Sequence, residues 1–557
     1  MAPIHRRGVL GLIAAGGLAM PSIGRATSAA KCDQPDKGHI VIAKQIGDIQ
    51  SFDPHIAFSS SAFELIGNLY DTLITLEGGK LAPGLATWEN DGSVWRFTVA
   101  DGRRFASGNE ISAVDVVFSL RRALWINSGP ALPLAHLGLT ATNAPSCIEV
   151  DKTLPNVLVL TLPSFVEEQI VLHCLTSASS SILDSALVRR HYSPELSPPY
   201  PPGSHDDGEA WLRFNSAGSG PFQITNAVRT DEIVLQRNAY HPDNSKAIMG
   251  LPLIVRNVPD PREQQRLLQC GQVEVAWNAP SAPSKMCTSP SVAVSSKSNG
   301  DTVHALRERK ANLLILCMNT AEPPLDVTEV RTGIRKAINT NALACWLNSV
   351  RWDACDRFWP SVVGNSLVDE FTRAWNVGEA KTALANHAGD LQLDFVVSAG
   401  RSAVAIWLAK ELAPFGITLK LNAASSAGAF RERLQMRKHQ LALITLSSDY
   451  LHAHSNANAL CANSDREDVN MFDEPHTLAW YCHWHDAKIS EVIKKAAQEK
   501  DPEVQLSLYK EVQKALTDRG PYAFLLEEAA YVTGSRGLLP QIGAIDNQTR
   551  YSLPTHS

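Results

Sequence analysis

The chain has 557 residues, 44% of them hydrophobic and 19% charged, and a formal net charge of −6. That length calls for two to four domains at about 150 residues each, with the composition of a soluble globular protein. The charge falls to −9 once Arg6, Arg7 and Arg25 leave with residues 1–30, which argues against a nucleic-acid partner and against docking on an anionic membrane.

Residues 1–30 read as an export signal. Arg6-Arg7 precede an apolar run from Gly8 to Met20, and Ser28-Ala29-Ala30 offers small residues for cleavage. The paired arginines look like a twin-arginine signal, although Val9 replaces the favoured Phe, so the general route stays open. The run is shorter than the roughly 18 apolar residues an uncleaved anchor needs. Lys31 before Cys32 argues against lipid attachment. Cysteines follow at 32, 147, 174, 270, 287, 317, 345, 355, 461 and 482. Some should pair in an oxidising compartment, but spacing alone leaves the connectivity open.

In chain order, His39–Ala43 is a short strand, and Phe58–Ala62 holds a Ser cluster suited to a turn or helix cap. Trp95, Phe97 and Val99 alternate with polar residues, the mark of a half-buried strand after the turn Asp91-Gly92. Ser112 to Asp115 resembles a capping box, opening a helix through Val117, Leu120 and Leu124. Leu158–Leu162 is a strand, Gln169–Arg190 is mostly helical, and Ser193–Gly208 is too rich in Pro to be either. Leu313–Asn319 reads as a buried strand and Val330–Ile338 as a helix. Leu391–Val397, a helix through Leu412, and Ile417–Leu421 form a β-α-β unit, parallel by default. Gln440–Leu446 is a strand ending at Ser447-Ser-Asp-Tyr450. Two helices close the pattern, the second opened by Asp501 as cap and Pro502 as its first residue.

Between Leu81 and Arg122 the order Leu-x-Pro-x-Leu-Ala-x-x-Trp, Asp-Gly-x-x-Trp-x-Phe, Asp-Gly-x-x-Phe and Ala-x-Asp-Val-x-x-Ser-x-x-Arg closely resembles the signature of the family 5 extracellular solute-binding proteins, the peptide- and nickel-type receptors of ABC importers. Asp53-Pro54, the helix at Glu64–Thr75, Ser216–Phe222, Arg237–Tyr240, Gln264–Trp277 and the Asn319, Pro323-Pro324, Val330-Arg331 run resemble further family elements. Gly333 stands where Ala is usual, costing up to about 1 kcal/mol of helix propensity unless something packs closely there. A nucleotide phosphate loop at Ser216–Phe222 would need the Gly-Lys-Ser/Thr that is missing.

The resemblance implies an α/β, two-lobed periplasmic binding protein of type II with an extra domain in the N-terminal lobe. A discontinuous first domain would comprise 38–71, 216–300 and 521–557, a second 72–215, and an opposing lobe 301–520. It further implies a non-catalytic, monomeric receptor with no cofactor. That receptor would close on a short peptide or other small amine-bearing solute and present it to a membrane permease. A metal-chelate receptor and an exported hydrolase with scattered acids and histidines are the alternatives; no Cys-x-x-Cys, His-Glu-x-x-His or Gly-x-Ser-x-Gly appears.

The resemblance also nominates site residues. Asp449 would take a ligand's ammonium group through charge-assisted hydrogen bonds, with Tyr450 as an aromatic wall and a hydroxyl. Leu446 stands where Trp often precedes, and Leu451-His452-Ala453 replaces the usual Asp-Pro end. Asn319 would be a cleft residue or a strand-end turn; Ser59 and Ser60 would touch ligand or cap a helix. His452, His454, His476, His483, His485, Cys461 and Cys482 form a dense neighbourhood suited to zinc or nickel by ligand type but fitting no standard module. The resemblance points instead to a Cys461–Cys482 disulfide, and a third reading is neither.

Overall fold

Two long strands, Asp301–Met318 and Tyr522–Ser535, pair antiparallel and carry the chain from one lobe to the other. On one side the sheet continues through Val275–Trp277, Ile40–Lys44, Leu253–Asn257, Glu232–Arg237 and Phe222–Arg229. On the other it continues through Leu441–Ser447, Leu391–Ser398 and Ile417–Ala424. This computed structural model describes residues 38–193, 206–229, 231–242, 251–278, 296–298, 301–347, 351–363, 375–387, 391–463 and 476–551. The export segment, Cys32, Cys287 and most of Ser193–Gly208 lie outside the described residues.

A separate four-stranded sheet, Ala86–Asp91, Val94–Val99, Val157–Thr161 and Ile148–Val150, forms the second domain of the first lobe. Its alternation was readable because one face is covered: Trp95, Phe97 and Val99 are buried among Leu120, Leu158 and Leu160. The helix Ala113–Ile126 covers that face, and Asp115 anchors its start. One Asp115 oxygen accepts from the N–H and hydroxyl of Ser112, the other from the N–H and hydroxyl of Ser185. The segment expected as one helix over Gln169–Arg190 is broken into Glu168–Cys174 and Ser185–Arg190. The hydroxyls of Ser177 and Ser180 donate to the carbonyl of Cys174, ending the first piece.

The Gly-rich Ser216–Phe222 is a packing device. A Cβ at Gly218 would lie 2.1 Å from the carbonyl oxygen of Leu69, so only glycine lets the two backbones meet. In the opposing lobe the β-α-β unit forms as expected: Leu391–Ser398 and Ile417–Ala424 are parallel neighbours, joined by the helix Ser402–Leu412. Asp501 caps the helix Pro502–Arg519 by accepting from the N–H of Glu503 at 2.9 Å.

The spine's ladder is irregular in two places, one of them between the lobes. Its pairing register shifts between Arg309 and Leu313, so Lys310, Ala311 and Asn312 bulge where the strand passes between lobes. Ala311 there donates its N–H to Ala544 of the C-terminal segment, and its carbonyl accepts from the N–H of Ser448.

Candidate functional site

Beside that bulge, the strand Leu441–Ser447 ends opposite Asn312. The loop after it is held by the helix Ala453–Cys461: Ser455 Oγ accepts from the N–H of Asp449 at 3.0 Å, and Ser448 Oγ donates to Asn456 at 2.8 Å. These bonds fix Asp449 at the wall of a cavity of about 40 Å³, lined from the first lobe by Phe63, Ser179 and Asn547 and from the spine by Asn312. At about 10–15 Å³ per water that space holds two to four waters, far short of the 300–1,000 Å³ typical of a ligand pocket. The lobes therefore meet closely around this cavity.

The cavity wall carries two acids. Asp546 is spoken for, with Lys310 Nζ 2.7 Å away. Asp449 has no basic partner among the described residues, and burial pushes its carboxyl up to about 7. Asn312 donates to Glu528, which Arg351 also holds. Next to this pair, Arg401 lies 4.9 Å from the Trp352 ring centre and donates to Thr445 at 2.9 Å. A larger cavity, about 560 Å³, lies within the opposing lobe near Leu516 and Phe524. It is lined by that lobe and the spine alone. Its Lys514 already pairs with Asp518, and its Arg335 with the carbonyl of Gly520, so closure of the lobes does not act on it.

The other expected site residues lie away from this cavity or reach it only through a neighbour. Tyr450 does not line this cavity: it is fully buried in the second-domain core, with its hydroxyl 3.1 Å from His136 Nδ1. Asn319 is a strand-end residue, buried, donating to the carbonyls of Arg437 and His439 and accepting from Ala321. The asparagine that this strand contributes to the cavity is Asn312, seven positions earlier. Ser59 caps the helix Ser60–Leu69 through the N–H of Ala62, and Ser60 bonds Asp546. Only Ser60 thus touches the cavity's polar wall, and does so indirectly.

The His/Cys neighbourhood separates in space. His452 and His454 face the first lobe, whereas His483 bonds Asn319, His485 bonds the carbonyl of Asn463 and His476 stacks on Trp480. Among the described residues no three His, Cys, Asp or Glu side chains are placed to hold a metal ion. The Cys461–Cys482 cross-link is not formed. Both are free thiols, and Cys482 lies within hydrogen-bond reach of Cys317 and of Tyr522. Among the described residues no helix is long and apolar enough to cross a membrane.

Comparison with known proteins bears on what such a site serves. The family described as bacterial extracellular solute-binding proteins, family 5 Middle, matches residues 79–468. A probable D,D-dipeptide-binding periplasmic protein of Escherichia coli, DdpA, is 21% identical over 516 residues, covering 88% of this chain and 89% of its own. Helicobacter pylori DppA in complex with the peptide STSA superposes with a TM-score of 0.73 at 18% identity, over 93% of this chain and 98% of that one. Campylobacter jejuni NikZ in complex with Ni(L-His) gives 0.70 at 18% identity, over 90% and 95%.

Proposed function

The chain belongs to the bacterial extracellular solute-binding proteins of family 5, and from that premise we propose that it is the receptor of an ABC importer whose solute presents an ammonium group to Asp449. One observation carries the reading: at the hinge, between closed lobes, the one cavity-lining acid without a basic partner among the described residues is Asp449. An ammonium group would supply the missing charge, restore the carboxylate and replace the waters that the cavity can hold. Neighbouring amide and hydroxyl groups of Asn312, Ser179 and Asn547 would orient the rest of a small polar solute.

The names of its relatives support a short peptide or similar amine: DdpA is called D,D-dipeptide-binding, and H. pylori DppA holds a tetrapeptide. They also support a periplasmic location, which fits residues 1–30 as a cleaved signal. Function here is capture and release by a monomer, handing solute to a permease, with no chemical step. Lobes of 38–300 with 521–557 and of 301–520 would turn about the bulge at Lys310–Asn312.

A metal chelate is the second reading, supported by the likeness to NikZ with its nickel–histidine complex. A chelate brings its own ligands and needs no protein cluster. Native mass spectrometry of freshly purified protein, with metal analysis, separates the two. A carried-over amine without metal supports the first reading; a stoichiometric metal sinks it.

A further inference from the structure

Four histidines meet where the lobes touch, none of them lining the cavity beside Asp449. His136 ends the short helix Leu132–His136 and His173 lies in Glu168–Cys174, both in the first lobe. His452 caps the helix Ala453–Cys461 of the opposing lobe, and His454 lies in its first turn. Across the junction the rings of His136 and His454 are 6.3 Å apart, and those of His173 and His452 are 6.0 Å apart. Tyr509 of the helix Pro502–Arg519 sits 6.0 Å from His452 and 6.3 Å from His454.

The hydrogen bonds suit uncharged rings. His452 Nδ1 accepts from the N–H of His454 at 3.1 Å, so that nitrogen carries no proton. His454 Nδ1 is 3.2 Å from the Tyr509 hydroxyl, and His136 Nδ1 is 3.1 Å from that of Tyr450. Among the described residues the other titratable groups facing the junction are Glu167, Cys174, Asp449, Tyr450 and Tyr509. Glu167 acts on Tyr509, and Asp449 on Tyr450 and Cys174. None is an ion-pair partner of a histidine; the charge that would act on His452 is that of His173 and His454.

We propose that these four histidines form a proton-operated latch: uncharged, they let the lobes close, and protonated in acidic surroundings, they push the lobes apart. The latch rests on two-lobed closure and not on the identity of the solute, so it is testable with none present. Burial holds His136 and His173 down to about 4 and His454 to about 3, and burial, with repulsion from His173 and His454, holds His452 well below its usual value. Opened to water, each returns towards about 6.5. The open form then takes up protons first as pH falls below about 6.5, and closure weakens.

Asp449 opposes this. Its carboxyl is protonated more readily in the closed form, so acid favours closure through that group. Between about pH 7.5 and pH 5.5 each freed histidine shifts the closed-to-open ratio about tenfold towards open, and Asp449 about 25-fold back. Opening wins once two histidines titrate, and by about 400-fold when all four do.

The test is X-ray scattering of the mature chain without added solute at about pH 7.5 and pH 5.5, with far-ultraviolet circular dichroism at each. The expected result is a compact particle at the higher pH and a reversibly larger one at the lower, with secondary structure kept. In the double variant His136→Gln, His454→Gln the expansion should shrink about 100-fold in closed-to-open ratio. Should that variant not fold, His173→Gln, which meets only His452 among the four, should shrink it about tenfold. Equal dimensions at both pH values, expansion with loss of secondary structure, or variants that expand as fully as the wild type would each overturn the latch.

Discussion

The guanidinium of Arg122 holds both carboxylate oxygens of Asp53, at 2.9 and 2.6 Å, with neither side chain open to solvent. The pair joins the helix of the second domain to the Ser51–His55 loop of the first, so two elements of the family signature are explained as structure and not as ligand contacts. Burial works against the Asp53 carboxyl, but Arg122 and His55 bring it below its usual value. Removing one partner of such a pair leaves a buried uncompensated charge, at a cost of about 3–5 kcal/mol. Arg122→Met should lower stability by about that much in chemical denaturation, and adding Asp53→Leu should recover much of it. The wild-type pair contributes fully above about pH 4, the unfolded carboxyl value, and its contribution is lost as pH falls below that. A single variant as stable as the wild type would contradict this placement.

Gly333 answers the question its sequence position raised. Its helix, Thr328–Ala337, lies against Val377–Leu384, and a Cβ at Gly333 would come 2.5 Å from Leu384 Cγ. Gly333→Ala would gain about 1 kcal/mol of helix propensity and lose about 1–3 kcal/mol to overpacking. A net loss in melting temperature is expected, relieved by Leu384→Val. A stabilised single variant would show that the two helices lie further apart than described.

Three buried thiols, Cys317, Cys461 and Cys482, surround Tyr522. With Cys482 turned to Cys317, peptide mapping under non-reducing conditions should yield no fragment joining Cys461 to Cys482. Recovery of that fragment would require the helix Ala453–Cys461 and the turn at Leu478–Tyr481 to pack differently.

What could be read beforehand follows physical lines. The second-domain strand and the β-α-β unit each bury one face, and a buried face writes a period into sequence. The strand Asp301–Met318 was legible only from Leu313 on, because before its bulge it carries Arg307, Glu308, Arg309 and Lys310 beside other polar residues. Tyr522–Ser535 is buried on both faces for most of its length and shows no alternation. At the site, the resemblance singled out Asp449, which lines the cavity, together with Asn319, which sits at a strand end as its alternative reading had it, and Tyr450, which is buried in the second-domain core. Which side chains reach a cavity depends on how lobes meet. For the same reason His136 and His173, some 300 positions before His452 and His454, carry no local signal of their shared junction.

Recognition of the solute turns on Asp449. Calorimetric titration of the wild type and Asp449→Asn with the solute recovered from the purified protein, beside melting curves of both empty forms, tests it most directly. Burying the ammonium without its counter-charge should cost about 2–5 kcal/mol, roughly 30- to 4,000-fold in affinity, mainly through faster dissociation. The empty variant should melt no lower than the wild type, since its amide removes a half-buried acid that has no basic partner among the described residues. Unchanged affinity, or lost affinity with a lower melting temperature, would contradict Asp449 as the ammonium site.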